Sequence, residues 1–188
     1  MMTLYKKCLL ALLSTSFLIA SVSEAQSLAT PAEQEFLSQH GLSGKSVPEM
    51  IDYIDQLPQA RPLPYTASVT ATELKLSDGK NIYTYPLEDK FYLSIAPYIT
   101  YTHDCFNHSL SGCKAELVET PYQVIVKDSA GQVIFDQTVV SFSNGFYGLW
   151  LPRNINGTVE VHMNGRKGSY PFSTDAQSQT CMTTIRLQ

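Results

Sequence analysis

Thr158-Val-Glu-Val-His-Met-Asn-Gly-Arg-Lys-Gly-Ser-Tyr170 sets two runs around Asn164-Gly165. Asn-Gly is the dipeptide that tolerates the paired left-handed conformations of a tight hairpin turn, so Thr158–His162 and Lys167–Tyr170 are predicted as antiparallel strands. Working outward, Tyr122–Val126 and Val133–Val139 flank Ser129-Ala130-Gly131 as a second hairpin. Further strands are expected at Phe91–Ile95, at Ile82–Tyr85, and along Ser68–Leu76 as one strand closed by Asp78-Gly79. Met182–Leu187 reads as a terminal strand. Some eight strands with closely spaced turns specify an antiparallel β-sandwich or open barrel over residues 65–188.

Upstream the periodicity changes. Thr30-Pro-Ala-Glu33 and Ser46-Val-Pro-Glu49 are helix starts, each with a hydroxyl cap, an early proline and a glutamate three residues after the cap. Phe36 and Leu37 give the first helix its apolar face; Met50, Ile51, Tyr53, Ile54 and Leu57 give the second. The fold class is thus mainly β with an N-terminal α-helical arm (α+β): two short helices within residues 26–57, a proline-rich and extended linker over 58–64, then the sandwich. The arm must bury its apolar stripe on the rest of the chain or on a second subunit. We expect the latter, with a sandwich that holds its own site.

Residues 1–25 read as a signal peptide, with Lys6-Lys7, an apolar core from Cys8 to Ala20, and Ser23-Glu-Ala25 before the cleavage point. The core is short for a membrane anchor, so export through a cleavable signal is expected, and Cys8 leaves with it. Loss of Lys6, Lys7 and Glu24 takes the formal charge from −4 to −5. That acidity disfavours nucleic acid or an anionic membrane as partner and suits a cation.

Three cysteines then remain. His103-Asp-Cys105-Phe-Asn-His108-Ser-Leu-Ser-Gly-Cys113 places two of them with two histidines in a loop, and Cys181 precedes the terminal strand. Three thiols leave one sulfur over after any pairing. Three readings stay open: a trigonal thiolate site for Cu(I), which soft sulfur selects; a disulfide with one free thiol, the ordinary state in an oxidising compartment; or a structural zinc site, to which the Cys105-x7-Cys113 spacing is least suited. His103 and His108 are candidate helper ligands that would also suit Cu(II). His40 and His162 stand outside any cluster. In Gly145-Phe-Tyr-Gly-Leu-Trp-Leu-Pro-Arg153 the aromatic residues read as strand core, with a wall shielding the metal as the sharper alternative. No Gly-x-Ser-x-Gly, His-Glu-x-x-His, Cys-x-x-Cys or phosphate loop is present, so no catalytic residues are assigned.

Several segments together resemble the periplasmic copper-binding protein CueP family of Gram-negative bacteria. They are Phe36-Leu37-x-x-His40-Gly41-Leu42-x-Gly44-Lys45-Ser46-Val47, Arg61-Pro-Leu63, Ser68–Thr72, Phe91–Ser94, Cys105–Cys113, Gly148–Arg153 and Thr180-Cys181. The resemblance implies a periplasmic copper-resistance protein or copper chaperone that binds Cu(I) at Cys105, Cys113 and Cys181. It further implies delivery to a periplasmic Cu/Zn superoxide dismutase and a homodimer built through the N-terminal region. Thiol–disulfide reductases are the expected partners of its cysteines. The alternatives kept beside it are a thiol-redox protein that reduces Cu(II) and ends as a disulfide, and a sandwich merely stapled by one.

Overall fold

The computed structural model describes residues 29–188; the signal-peptide reading and Cys8 lie outside them. Helix α1 spans Pro31–Gln39 and α2 spans Val47–Asp55. Both start where the capping pattern predicts. Glu33 accepts from the Thr30 N–H at 3.3 Å, the Thr30 hydroxyl accepts from the Glu33 N–H at 3.2 Å, and Glu49 accepts from the Ser46 N–H at 2.7 Å.

Ten strands follow among the described residues: β1 Thr66–Val69, β2 Glu73–Ser77, β3 Ile82–Pro86, β4 Lys90–Ile95, β5 Pro121–Asp128, β6 Val133–Val140, β7 Tyr147–Pro152, β8 Asn156–Met163, β9 Arg166–Ser173 and β10 Cys181–Met182. They form three sheets, ordered β1-β2-β3, β10-β4-β7 and β6-β5-β8-β9. The β8–β9 turn is the one that decided the reading. Met163 pairs with Arg166, and Asn164 and Gly165 both take left-handed angles, φ 50° and 78°.

Two expectations are corrected. Ser68–Leu76 is not one strand but the β1–β2 hairpin, because the Thr70 hydroxyl accepts from the N–H groups of Thr72 and Glu73 and folds the chain there. The terminal strand is only two residues long, and it runs parallel to β4, pairing Cys181 with Ser94.

Strand β4 is the middle layer and is buried on both faces. Phe91, Leu93 and Ile95 pack with Val124, Val126, Val159 and Val161 of the four-stranded sheet, which makes the sandwich. Tyr92, one residue out of phase, points into a second core with Phe36, Met50, Ile51, Ile54, Leu74 and Leu76. The helical arm therefore covers its apolar face on its own chain. Phe36 packs edge-on to Tyr65 at 5.6 Å, and the Tyr85 hydroxyl donates to Glu33 at 2.6 Å. Burial of that face needs no second subunit. The linker is anchored as well: buried Arg61 donates to the carbonyls of Ile54, Asp55 and Leu57 at the end of α2, and to Leu110 of the loop beyond β4.

Candidate metal centre

The loop between β4 and β5 is clamped before it presents any side chain. Val69 N–H donates to the His108 carbonyl at 2.9 Å, and His108 N–H donates to the Thr180 hydroxyl at 3.0 Å. That hydroxyl in turn donates to the Val69 carbonyl at 2.6 Å. Thr180 and Cys181 N–H groups both donate to the Phe106 carbonyl, at 2.9 and 3.1 Å. The loop is thus held between β1 and β10. A turn in which Gly112 and Cys113 N–H groups share the Ser109 carbonyl then swings Cys113 back towards Cys105.

The three sulfurs converge. Cys105 and Cys181 are bonded as a disulfide, their Cα atoms 5.6 Å apart, and Cys113 is free and half-buried. Cys113 Sγ stands 3.7 Å from Cys105 Sγ. A ring nitrogen of His108 lies within 4.8 Å of the sulfurs of Cys113 and Cys181, and one of His103 lies within the same distance of Cys105 and Cys113. All five residues singled out from the sequence are thereby brought together. The two histidines differ in setting: His103 is exposed at the rim, and His108 is completely buried. Fully buried Phe146 packs with Cys181 and Ala96, and its ring sits 4.6 Å from that of His108. The aromatic run thus divides its work. Phe146 shields the sulfurs, whereas Trp150 stacks on Tyr92 at 4.8 Å and donates to Asp52 at 2.9 Å, away from them. His40 stacks on Tyr65, and His162 pairs with Glu160 on the surface.

A carboxylate from the arm completes the site and was not anticipated. Asp55, at the last position of α2, is fully buried. It accepts from His108 Nε2 at 2.9 Å, Asn144 Nδ2 at 2.7 Å and the Tyr92 hydroxyl at 2.6 Å. Asn144 is fixed by its own carbonyl, which accepts from the Phe146 N–H at 2.9 Å. Burial pushes the Asp55 carboxyl up, but His108 and the hydroxyl and amide donors outweigh it and hold it below its usual value. Burial alone would push the His108 imidazole down; the Asp55 carboxylate overrides it and raises its pKa to about 9. The clue in the sequence was position. Asp55 stands four residues after Ile51, on the apolar stripe of α2, where an unpaired charge would be prohibitive.

The donors suit a soft metal ion. Three sulfurs and an imidazole nitrogen lie close together, and the carboxylate is bonded to His108 Nε2. Nδ1 of His108 is buried and has no hydrogen-bond partner, and with Nε2 held by Asp55 it is the ring nitrogen left for a metal ion once its proton is released. Among the described residues no helix is long and apolar enough to cross a membrane.

A family profile described as periplasmic copper-binding protein CueP matches residues 49–186. The crystal structure of S.CueP superposes on the chain with a TM-score of 0.83 and 57% identity, covering 85% of this chain and 99% of that one. A search of curated proteins returns no match.

Proposed function

We infer that this chain, which belongs to the periplasmic copper-binding protein CueP family, carries Cu(I) on the sulfurs of Cys105, Cys113 and Cys181. The supporting observation is the convergence of a free thiol on a disulfide: Cys113 Sγ is 3.7 Å from Cys105 Sγ, which is itself bonded to Cys181. Opening that disulfide takes two electrons and frees two more thiolates at the same point. Three soft ligands under the Phe146 ring favour Cu(I) over harder ions and keep water from it. His108 adds a nitrogen from inside and His103 offers an entry ligand from the rim. Export by residues 1–25 is proposed on their own basic, apolar and cleavage-site pattern, and delivery to a periplasmic Cu/Zn superoxide dismutase and a homodimeric state on the family resemblance. Sedimentation at micromolar concentration decides the last.

The disulfide also favours a second reading. Two thiolates can each pass one electron to a Cu(II) ion, which gives one disulfide and two Cu(I) ions, one of which Cys113 and His108 can keep. Thiol counting of the reduced, full-length protein separates the readings. Thiols that persist and become blocked by Cu(I) support the carrier, and rapid loss of two thiols on adding Cu(II) supports the reductant. A disulfide that resists reduction, with no bound copper, overturns both. Cys181→Ser should lower Cu(I) affinity by orders of magnitude, since a hydroxyl is a hard and mostly protonated substitute. Unchanged affinity would reduce the site to the loop alone.

A further inference from the structure

We propose that Asp55 is the positioning residue of this metal centre: by holding the Nε2–H of His108 it presents Nδ1, the nitrogen left without a partner, as a fixed copper donor. The proposal rests on the reading of the sulfurs as a copper site and adds to it a residue from the helical arm.

The geometry assigns each hydrogen bond a direction. All three side chains on the Asp55 carboxylate can donate: the Tyr92 hydroxyl to Oδ2, and Asn144 Nδ2 and His108 Nε2 to Oδ1. The Asn144 amide is not free to turn, because its carbonyl oxygen already accepts from Phe146 N–H. An acceptor-only carboxylate among donors can take Nε2 in one way, as N–H. The other ring nitrogen, Nδ1, is buried and without a partner, on a ring that has a nitrogen within 4.8 Å of the sulfurs of Cys113 and Cys181.

The nearest cation does not compete. Arg61 spends its guanidinium on backbone carbonyls, including that of Asp55, and makes no hydrogen bond to the carboxylate. The negative charge is therefore directed at His108. A carboxylate behind an imidazole fixes the tautomer, sets the ring plane and makes the free nitrogen a better donor. If Asp55 served only to fill the core, an apolar residue on this stripe would do so without burying a charge. The Nδ1 proton of the empty, protonated ring leaves to solvent when copper takes that nitrogen, and Nε2–H stays hydrogen-bonded to Asp55.

The test uses reduced full-length protein and Cu(I), which is diamagnetic and open to nitrogen NMR. In the loaded parent, His108 should show a protonated Nε2 and a metal-bound Nδ1. Asp55→Asn places an amide N–H₂ among donors and should disturb the tautomer. Cu(I) affinity, measured by competition with a chromogenic chelator, should fall roughly 10- to 100-fold. Asp55→Glu keeps the charge and should recover part of that loss. Copper on Nε2, or a parent that holds Cu(I) by sulfur with no His108 nitrogen bound, overturns the proposal and leaves the thiolate site standing. Folded Asp55→Asn protein with parental affinity and a parental Nδ1 signal also overturns it. A parent that binds no Cu(I) at all sinks the copper-carrier reading itself. The parent spectrum decides even if the variants fail to fold.

Discussion

Asp55 and His108 are each fully buried and each ionisable, and their shifts run in opposite directions. His108 has a folded pKa of about 9, above its ordinary 6.5. Its stabilisation is complete below pH 6.5 and is lost as pH rises through about 9. Asp55 is held below its ordinary 3.8, so its contribution is present above that value and is lost on acidification. Denaturant unfolding of the metal-free, disulfide-bonded protein should therefore give a plateau between these limits, and His108→Gln should flatten the alkaline fall. Gly148 supports the same pair from behind. A Cβ there would run into the Tyr92 hydroxyl, the group that donates to Asp55. Gly148→Ala should cost roughly 2 kcal/mol in urea unfolding, about the value of a hydrogen bond to a buried charge. The loop cysteines and histidines stood out by their spacing, and Cys181 by the count of thiols and the family resemblance, whereas Asp55, Tyr92 and Asn144 did not stand out. A helical pattern marks its buried face by apolar residues, so a lone Asp on that face reads as noise until its partners arrive from β4 and the turn before β7.

At the level of elements, local signals were read well and non-local ones poorly. The two helix starts and the Asn164-Gly165 hairpin were legible because capping and turn chemistry act within four residues. Gly165→Ala should test that turn: its φ of 78° is strained for any Cβ although the surroundings are open, so a loss of roughly 1 kcal/mol with unchanged copper binding is expected. The break at Thr70 was missed because period-two alternation runs on through the turn, and only the threonine hydroxyl marks it. Strand β10 was overextended because its parallel partner, β4, lies some ninety residues away. The arm carries the largest consequence. The sequence suggests a separable unit, yet α2 ends in the carboxylate that holds His108, and its Met50, Ile51 and Ile54 fill the core beneath Tyr92. Deleting residues 26–57 should thus weaken Cu(I) binding and destabilise β1–β3 as well. Chelator competition and circular dichroism on the truncated chain check this; parental affinity would show that the arm is dispensable to the site.

At the scale of the whole molecule, the described residues hold one covalent ring. The Cys105–Cys181 bond joins residues 76 apart, and β5 to β9 all lie within that span. Closing a ring of that length removes loop entropy from the unfolded chain worth about 4 kcal/mol. Opening it should lower the melting temperature by roughly 10 °C in a chain of this size. On the proposed ligand set, Cu(I) bridges the same two sulfurs and closes the ring again with metal in place of the sulfur–sulfur bond. Melting temperatures should therefore fall in the order oxidised and copper-loaded above reduced and empty, and calorimetry on the three forms checks it. The weakest member of that cycle is the reduced chain that has not yet met copper. It opens most often, so it is the form that a protease cuts first, and re-forming the Cys105–Cys181 bond shields the empty chain as the metal would.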